Sequence, residues 1–185
     1  MLNEKETIRI SRFLSLVLRH QPQVLGLALD EQGWTDVATL LQKMNNKGFD
    51  LSMALLEHVV ATNNKKRFAF NGDKTKIRAN QGHSLRINLG YAPVKPPAVL
   101  YHGTGDKAVA SILQSGLHRG KRHHVHLSTA VETATKVGQR HGKPVVFCVA
   151  ALKMHEQGFV FYRAANEVWL TNHVPAAYLS VIAIE

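Results

Sequence analysis

Ala92-Pro93-Val94-Lys95-Pro96-Pro97 is the stretch around which the rest of the chain organises. Proline lacks an amide donor and fixes φ, so three prolines in the five residues 93–97 cannot lie inside a helix or a central strand. The stretch reads as a linker, 93–97, between a first lobe, 1–92, and a second lobe, 98–185. No internal repeat or low-complexity tract complicates that division.

Upstream of the prolines, Ile10, Phe13, Leu14, Val17 and Leu18 follow the spacing of an amphipathic helix that Pro22 stops, placing Arg19 and His20 in its last turn. A second helix is predicted from a cap at Thr35 or Asp36, through Val37, Leu40, Leu41 and Met44, to Gly48. A third starts at Ser52 and carries Leu55, Leu56, Val59 and Val60. Arg67-Phe68-Ala69-Phe70 and Lys76-Ile77-Arg78-Ala79 then flank Asn71-Gly72-Asp73, which is a hairpin signal. Three helices followed by a hairpin is the order of a winged helix, a small fold often used on nucleic acids. Downstream, short apolar runs at Val99 to Tyr101, His124 to Leu127, Val145 to Val149, Val168 to Leu170 and Leu179 to Ile184 read as strands. Helices are predicted around Ala108 to Leu113, ending at Gly116, and from Ala130 to Arg140, ending near Gly142. The sum is an α+β chain whose second lobe is a mixed, strand-rich sheet without the regular alternation of a doubly wound fold.

The formal charge of +10, with 11 histidines beside it, points to a polyanionic partner. Residues 1–92 carry 13 Lys/Arg against 8 Asp/Glu and residues 93–185 carry 10 against 5, so each half is net +5 and neither is merely a basic tail. The single cysteine, Cys148, excludes a disulfide framework and a Cys-x-x-Cys site. No run approaches the roughly 18 apolar residues of a membrane span, and Met1 to Ile10 is charged, so a cytoplasmic protein without membrane attachment is expected. Gly-x-Gly-x-x-Gly, Gly-x-x-x-x-Gly-Lys and Gly-x-Ser-x-Gly are all absent, which leaves Rossmann, P-loop and nucleophile-elbow chemistry without motif support.

Several polar clusters remain, and each has a bland reading. Arg19-His20 suits a helix C-terminus by its dipole alone. Asn63-Asn64-Lys65-Lys66-Arg67 could be a solvated charge run, with strand alternation setting Lys66 apart from Lys65 and Arg67. Gln81-Gly82-His83-Ser84 could be any polar loop. Tyr101-His102-Gly103-Thr104 ends a strand, where the glycine would let a ligand approach the backbone or simply turn the chain. In Arg122-His123-His124-Val125-His126-Leu127-Ser128, residues 124, 126 and 128 alternate onto one face behind Arg122. Two histidines so spaced could bind a metal, but no third ligand accompanies them and none is expected.

Together these segments resemble the RNA 2'-phosphotransferase family, through Leu14-Ser15-Leu16-Val17-Leu18-Arg19-His20, Lys66-Arg67-Phe68, Ile77-Arg78-Ala79-Asn80-Gln81-Gly82-His83-Ser84, Tyr101 to Thr104, Arg122 to Ser128 and Val168-Trp169-Leu170-Thr171. The resemblance implies a winged-helix RNA lobe followed by a lobe of the ADP-ribosyltransferase type that holds NAD. It implies transfer of an internal RNA 2'-phosphate to NAD, through an ADP-ribosylated RNA, to give ADP-ribose 1'',2''-cyclic phosphate, nicotinamide and a free 2'-hydroxyl. Arg19, His20, Arg67 and Arg122 would be catalytic, and Lys65, His83 and Ser84 would contact RNA phosphates. His102, Gly103 and Thr104 would open the NAD pocket, His126 and Val168 would hold its second and third motif positions, and Leu117, Ser128, Gly138 and Arg140 would line the cleft. Val168, with Glu167 one residue away, is apolar where protein-modifying members of the superfamily carry glutamate. Trp169 reads as core. The implied partners are NAD and a tRNA-like RNA with an internal 2'-phosphate; the oligomeric state is not readable from the sequence, with a monomer favoured. Two other readings stay open: an enzyme that leaves ADP-ribose on a phosphorylated nucleic-acid end, and a winged-helix binder without catalysis.

Overall fold

A computed structural model of the chain describes residues 4–182. By its internal contacts the chain divides into two compact units, Met1–Gly90 and Tyr91–Glu185.

In the first unit, α1 spans Glu4–Arg19 and buries Ile10, Leu14, Val17 and Leu18. It ends as Pro22 opens a 3-10 turn, Pro22–Leu25, so His20 stands just past the last helical residue. Helix α2, Val37–Asn46, starts where the Asp36 carboxylate accepts the Thr39 amide at 2.6 Å. That hydrogen bond holds the Asp36 carboxyl below its ordinary range. Helix α3, Met53–Ala61, is capped in the same way by Ser52, whose hydroxyl accepts the Leu55 amide at 3.2 Å. The strands are β1 (Thr35–Asp36), β2 (Phe68–Phe70) and β3 (Lys76–Ala79), in the antiparallel order β1-β3-β2. Their inward residues Phe68, Ile77 and Ala79 join the helices' apolar faces in one core.

In the second unit, β4 (Leu100–Gly105), β7 (Pro144–Val149) and β11 (Leu179–Ile182) form one antiparallel sheet, with β7 central. A second sheet has β9 (Trp169–Thr171) between β6 (Val125–Leu127) and β8 (Phe161–Arg163). The two sheets meet where Tyr101 and Ser128 exchange backbone hydrogen bonds of 2.8 and 2.9 Å. A short ribbon pairs β5 (Leu117–His118) with β10 (His173–Val174). The helices are α4 (Val109–Ser115), α5 (Val131–Gly138) and α6 (Ala151–Glu156), giving six α-helices among the described residues. Trp169 is 6% exposed and belongs to this unit's core. The expected strand to Ile184 is described only as far as Ile182; residues 183 and 184 lie outside the described residues.

Three local readings differ from expectation. The proline-dense segment is packed: the Val94 amide donates to Phe161 O at 2.8 Å and Pro93 bridges to Tyr162, extending the edge at β8. Residues 63–67 form a turn instead of entering the hairpin as a strand, with Lys66 at φ +41°, so strand alternation does not sort Lys65, Lys66 and Arg67. Gly103 lies within β4, not at its end.

Candidate active site

In the first unit the end of α1 is tied to the loop that follows β3. The Ser84 amide donates to Arg19 O at 3.0 Å, and the Ser84 hydroxyl shares a 3.0 Å hydrogen bond with His20 Nδ1. Arg19, His20 and Ser84 are therefore one group, assembled from residues 64 positions apart in sequence. The loop itself is braced from behind: Arg78 lies 4.5 Å over the Trp34 ring and donates to Leu89 O at 3.2 Å. His83 is 2% exposed, with its Nε2 against Gly33. A ring buried in this way packs within the loop and helps to hold it.

Arg67 is set by two asparagines to which the sequence reading assigned no role. Asn63 Oδ1 accepts from the Lys65 and Arg67 amides, each at 3.3 Å, and from Arg67 Nη1 at 3.4 Å. The same side chain donates to Ser11 Oγ on α1 at 3.0 Å. Asn80 closes the other side, donating from Nδ2 to Lys66 O at 2.6 Å while its amide donates to Arg67 O at 2.8 Å. These contacts account for the left-handed Lys66, a conformation that costs a side-chain-bearing residue about 1–3 kcal/mol unless its surroundings hold it. Arg67 is half-buried, and burial pushes its guanidinium below the ordinary value without threatening its charge. Lys65 is exposed beside it. An asparagine two and four residues before a basic side chain was the available signal, since it commonly closes such turns.

In the second unit, β6 turns His126 to the face opposite the buried Val125 and Leu127. Arg122 Nη1 donates to His126 Nδ1 at 3.1 Å. A guanidinium can only donate, so His126 accepts at Nδ1 and carries its proton on Nε2. The His126 carbonyl in turn accepts from His102 Nδ1 at 3.0 Å. Burial foremost, with the Arg122 and His141 charges adding, holds the His102 imidazole below its ordinary pKa; the hydrogen bond to His126 opposes the shift without reversing it. His102 is thus a neutral ring with Nε2 as acceptor, next to a permanently charged donor. His124 is likewise held low by burial and by the neighbouring His123 and Arg119, and its ring meets Tyr162 edge-on at 5.4 Å.

Other predicted residues fall elsewhere. A Cβ on Gly103 would stand 1.7 Å from Ala134 O, and one on Gly138 would stand 2.6 Å from Thr104 O. Both glycines are required by α5 lying directly on β4. Leu117 is 3% exposed and part of the core, and Thr104 is 9% exposed. Ser128 donates from its hydroxyl to Ala130 O at 3.1 Å, while Arg140 is exposed just beyond α5. Val168 closes the β8–β9 turn by accepting the Ala164 amide at 2.9 Å. Glu167, at φ +67° in that turn, pairs with Arg163 at 3.0 Å.

In the second unit the Arg122 guanidinium offers donors to an anion and the His102 Nε2 an acceptor to a hydroxyl. Among the described residues no group of three or more His, Cys, Asp or Glu side chains is placed to hold a metal ion. No helix among them is long and apolar enough to cross a membrane.

Comparison with known proteins agrees over almost the whole chain. The model of the RNA 2'-phosphotransferase, Tpt1 / KptA family matches residues 5–173, which takes in both units. A protein named probable RNA 2'-phosphotransferase from Trichormus variabilis is 50% identical over 181 residues, covering 98% of this chain and all of its own. Proteins of the same name from Agrobacterium fabrum and Hahella chejuensis are 53% and 51% identical, over 94% and 93% of this chain and 93% and 92% of their own. The chain belongs to the RNA 2'-phosphotransferase family, and so to the transferases.

Proposed function

We propose that the protein removes an internal 2'-phosphate from RNA by passing it to the ADP-ribose part of NAD. The first unit is then the winged-helix RNA lobe and the second the ADP-ribosyltransferase-like lobe. The observation that carries the reading is that one family match spans Arg19, His20 and Arg67 in the first unit and Arg122 in the second. NAD supplies the electrophilic sugar carbon. His102, Gly103, Thr104, His126, Ser128, Arg140 and Val168 are assigned to hold it, with Leu117 and Gly138 lining the same cleft while also serving the packing of this unit.

In the first step an oxygen of the RNA 2'-phosphate forms a bond to the anomeric carbon as the bond to nicotinamide breaks. A phosphate is already ionised near neutral pH, so the chain needs to position it and needs no strong base, in keeping with an apolar Val168 and with Glu167 engaged by Arg163. In the second step the neighbouring ribose hydroxyl bonds to phosphorus and the RNA 2'-oxygen leaves. Negative charge gathers on the phosphoryl oxygens, where Arg19, Arg67 and Arg122 act as planar, permanently charged donors. His20, oriented by Ser84, gives the departing oxygen its proton. Lys65, His83 and Ser84 are assigned to contact the RNA backbone.

The test is to mix the protein with NAD and a short RNA bearing one internal 2'-phosphate and resolve the products by mass. Dephosphorylated RNA, nicotinamide and the cyclic phosphate of ADP-ribose are expected. The His20→Asn variant should accumulate ADP-ribosylated RNA. Unmodified RNA in the presence of NAD sinks the reading, and ADP-ribose retained on the RNA by the wild type replaces it with an end-modifying activity.

A further inference from the structure

The exposed side of α1 carries a feature that the proposed chemistry does not use. Lys5, Ile8, Arg9, Arg12, Phe13, Leu16 and Phe49 surround a groove of about 400 Å³. At 100° per residue, Lys5, Arg9, Arg12 and Leu16 fall on one stripe, opposite the buried Ile10, Leu14, Val17 and Leu18. The stripe continues to Arg19 and His20. Glu4 and Glu6 flank it on either side at the helix start, where the dipole favours acids.

A row of exposed cations on a helix is ordinarily just a solvated face, but three details separate this one from that case. First, Arg9 is propped: its guanidinium carbon lies 4.5 Å from the Phe49 ring centroid, and Phe49 meets Phe13 at 4.7 Å. Second, among the described residues no ion pair joins Arg9 or Arg12 to an acid. Third, the floor between the cations is apolar and aromatic, and Ile8 at its edge is 44% exposed. Unneutralised arginines over an apolar floor match a single-stranded nucleic acid, which needs cations for its phosphates and flat or apolar surfaces for its bases.

We infer that this groove is a second RNA-binding track, taking the single-stranded flank of the RNA whose 2'-phosphate lies at Arg19 and His20. The inference rests on the proposed function for its substrate. Seven and ten residues separate Arg12 and Arg9 from Arg19, or about 10 and 15 Å along the helix. A stacked strand advancing about 3.4 Å per nucleotide covers that distance in roughly three to four nucleotides. The track therefore engages only RNA that extends at least that far from the reacting phosphate.

Two 2'-phosphorylated RNAs test this, one with a single nucleotide on each side of the modified residue and one with about six, longer than the reach just given. The Arg9→Ala, Arg12→Ala double variant should lower kcat/KM on the long RNA about tenfold, mainly through KM, and leave the short RNA within about twofold of wild type. Affinity for a fluorescent unmodified RNA of the longer length, followed against salt, should lose about 1.4 from its log–log slope, or 0.7 for each of two phosphates released. The short RNA also reports whether the variant is folded, and Arg12→Ala alone, which leaves Arg9 on Phe49, should give a smaller loss in the same direction. Equal rates for variant and wild type on the long RNA overturn the track, as does an equal fall on both RNAs. Wild type that turns over neither RNA overturns the phosphotransferase reading instead, and the unmodified-RNA affinities then decide the groove alone.

Discussion

His102 donates from Nδ1 to a carbonyl that cannot donate back, and burial next to Arg122 disfavours adding a second proton. The unfolded chain takes up that proton as pH falls through the ordinary value of 6.5, while the folded ring resists until lower pH. Across that window the unfolded state holds more protons, so stability falls as pH falls; it is whole above 6.5 and lost on the way down to the folded value. Each such histidine tilts the curve by at most about 1.4 kcal/mol per pH unit. His124 acts with the same sign. The His102→Asn variant, whose amide can still donate to the His126 carbonyl, should have a shallower dependence of its urea midpoint on pH between about 5 and 7. An unchanged slope would mean that His102 titrates alike in both states, and the neutral ring assigned to the NAD site would lose its basis.

At the level of elements, α5 and β4 show what local pattern conveys and what it does not. The Gly103→Ala variant places a methyl carbon where Ala134 O stands, and a backbone carbonyl cannot rotate away as a side chain would. It should destabilise the second unit by at least about 2–3 kcal/mol, the upper range for overpacking, as read from the denaturant midpoint. Gly72→Ala, with nothing within 4 Å, should stay within about 0.5 kcal/mol and serves as the control. Equal midpoints for the two variants would sink the packing explanation. The need for glycine at 103 arises from a helix some thirty residues downstream, so in sequence the position reads as a strand end that either faces a ligand or simply turns the chain. The caps at Asp36 and Ser52 were readable because donor and acceptor lie three residues apart. So was the α4 end at Gly116, since a left-handed glycine is a local signal. The two-residue strands Leu117–His118 and His173–Val174 carry no period of their own, and α6, starting from Ala150 without a side-chain cap, offered no start signal. Among the candidate residues, Arg19, His20 and Arg67 in the first unit and Arg122 and His126 in the second stand out in sequence as charged or titratable residues in ordered motifs. The asparagines that set Arg67 are neutral, and although Asn63 also closes its own local turn, its bond to Ser11 and that of Asn80 to Lys66 O join residues brought near only by folding.

At the scale of the whole molecule, each unit has its own core and holds one of the two tryptophans: half-buried Trp34 in the first unit and core residue Trp169 in the second. That division makes the proposed assignment of NAD to second-unit residues measurable without cutting the chain. A ligand that binds only folded protein adds RT ln(1 + [L]/Kd), or about 2.7 kcal/mol at a hundredfold excess over Kd, to whatever must unfold for it to leave. If His102, His126 and Arg122 provide the grip, NAD should shift the unfolding transition seen by Trp169 in a Trp34→Phe variant. The transition seen by Trp34 in a Trp169→Phe variant should move much less. The second variant removes a buried side chain and starts from a lower midpoint, so each is compared with itself, with and without NAD. The His126→Ala change in the Trp34→Phe background should abolish most of the shift, because it removes both the acceptor for Arg122 and an imidazole assigned to hold NAD in the proposed function. A shift of the same size at both tryptophans, unaffected by His126→Ala, would place the dinucleotide elsewhere and remove the second unit's cluster from the reaction.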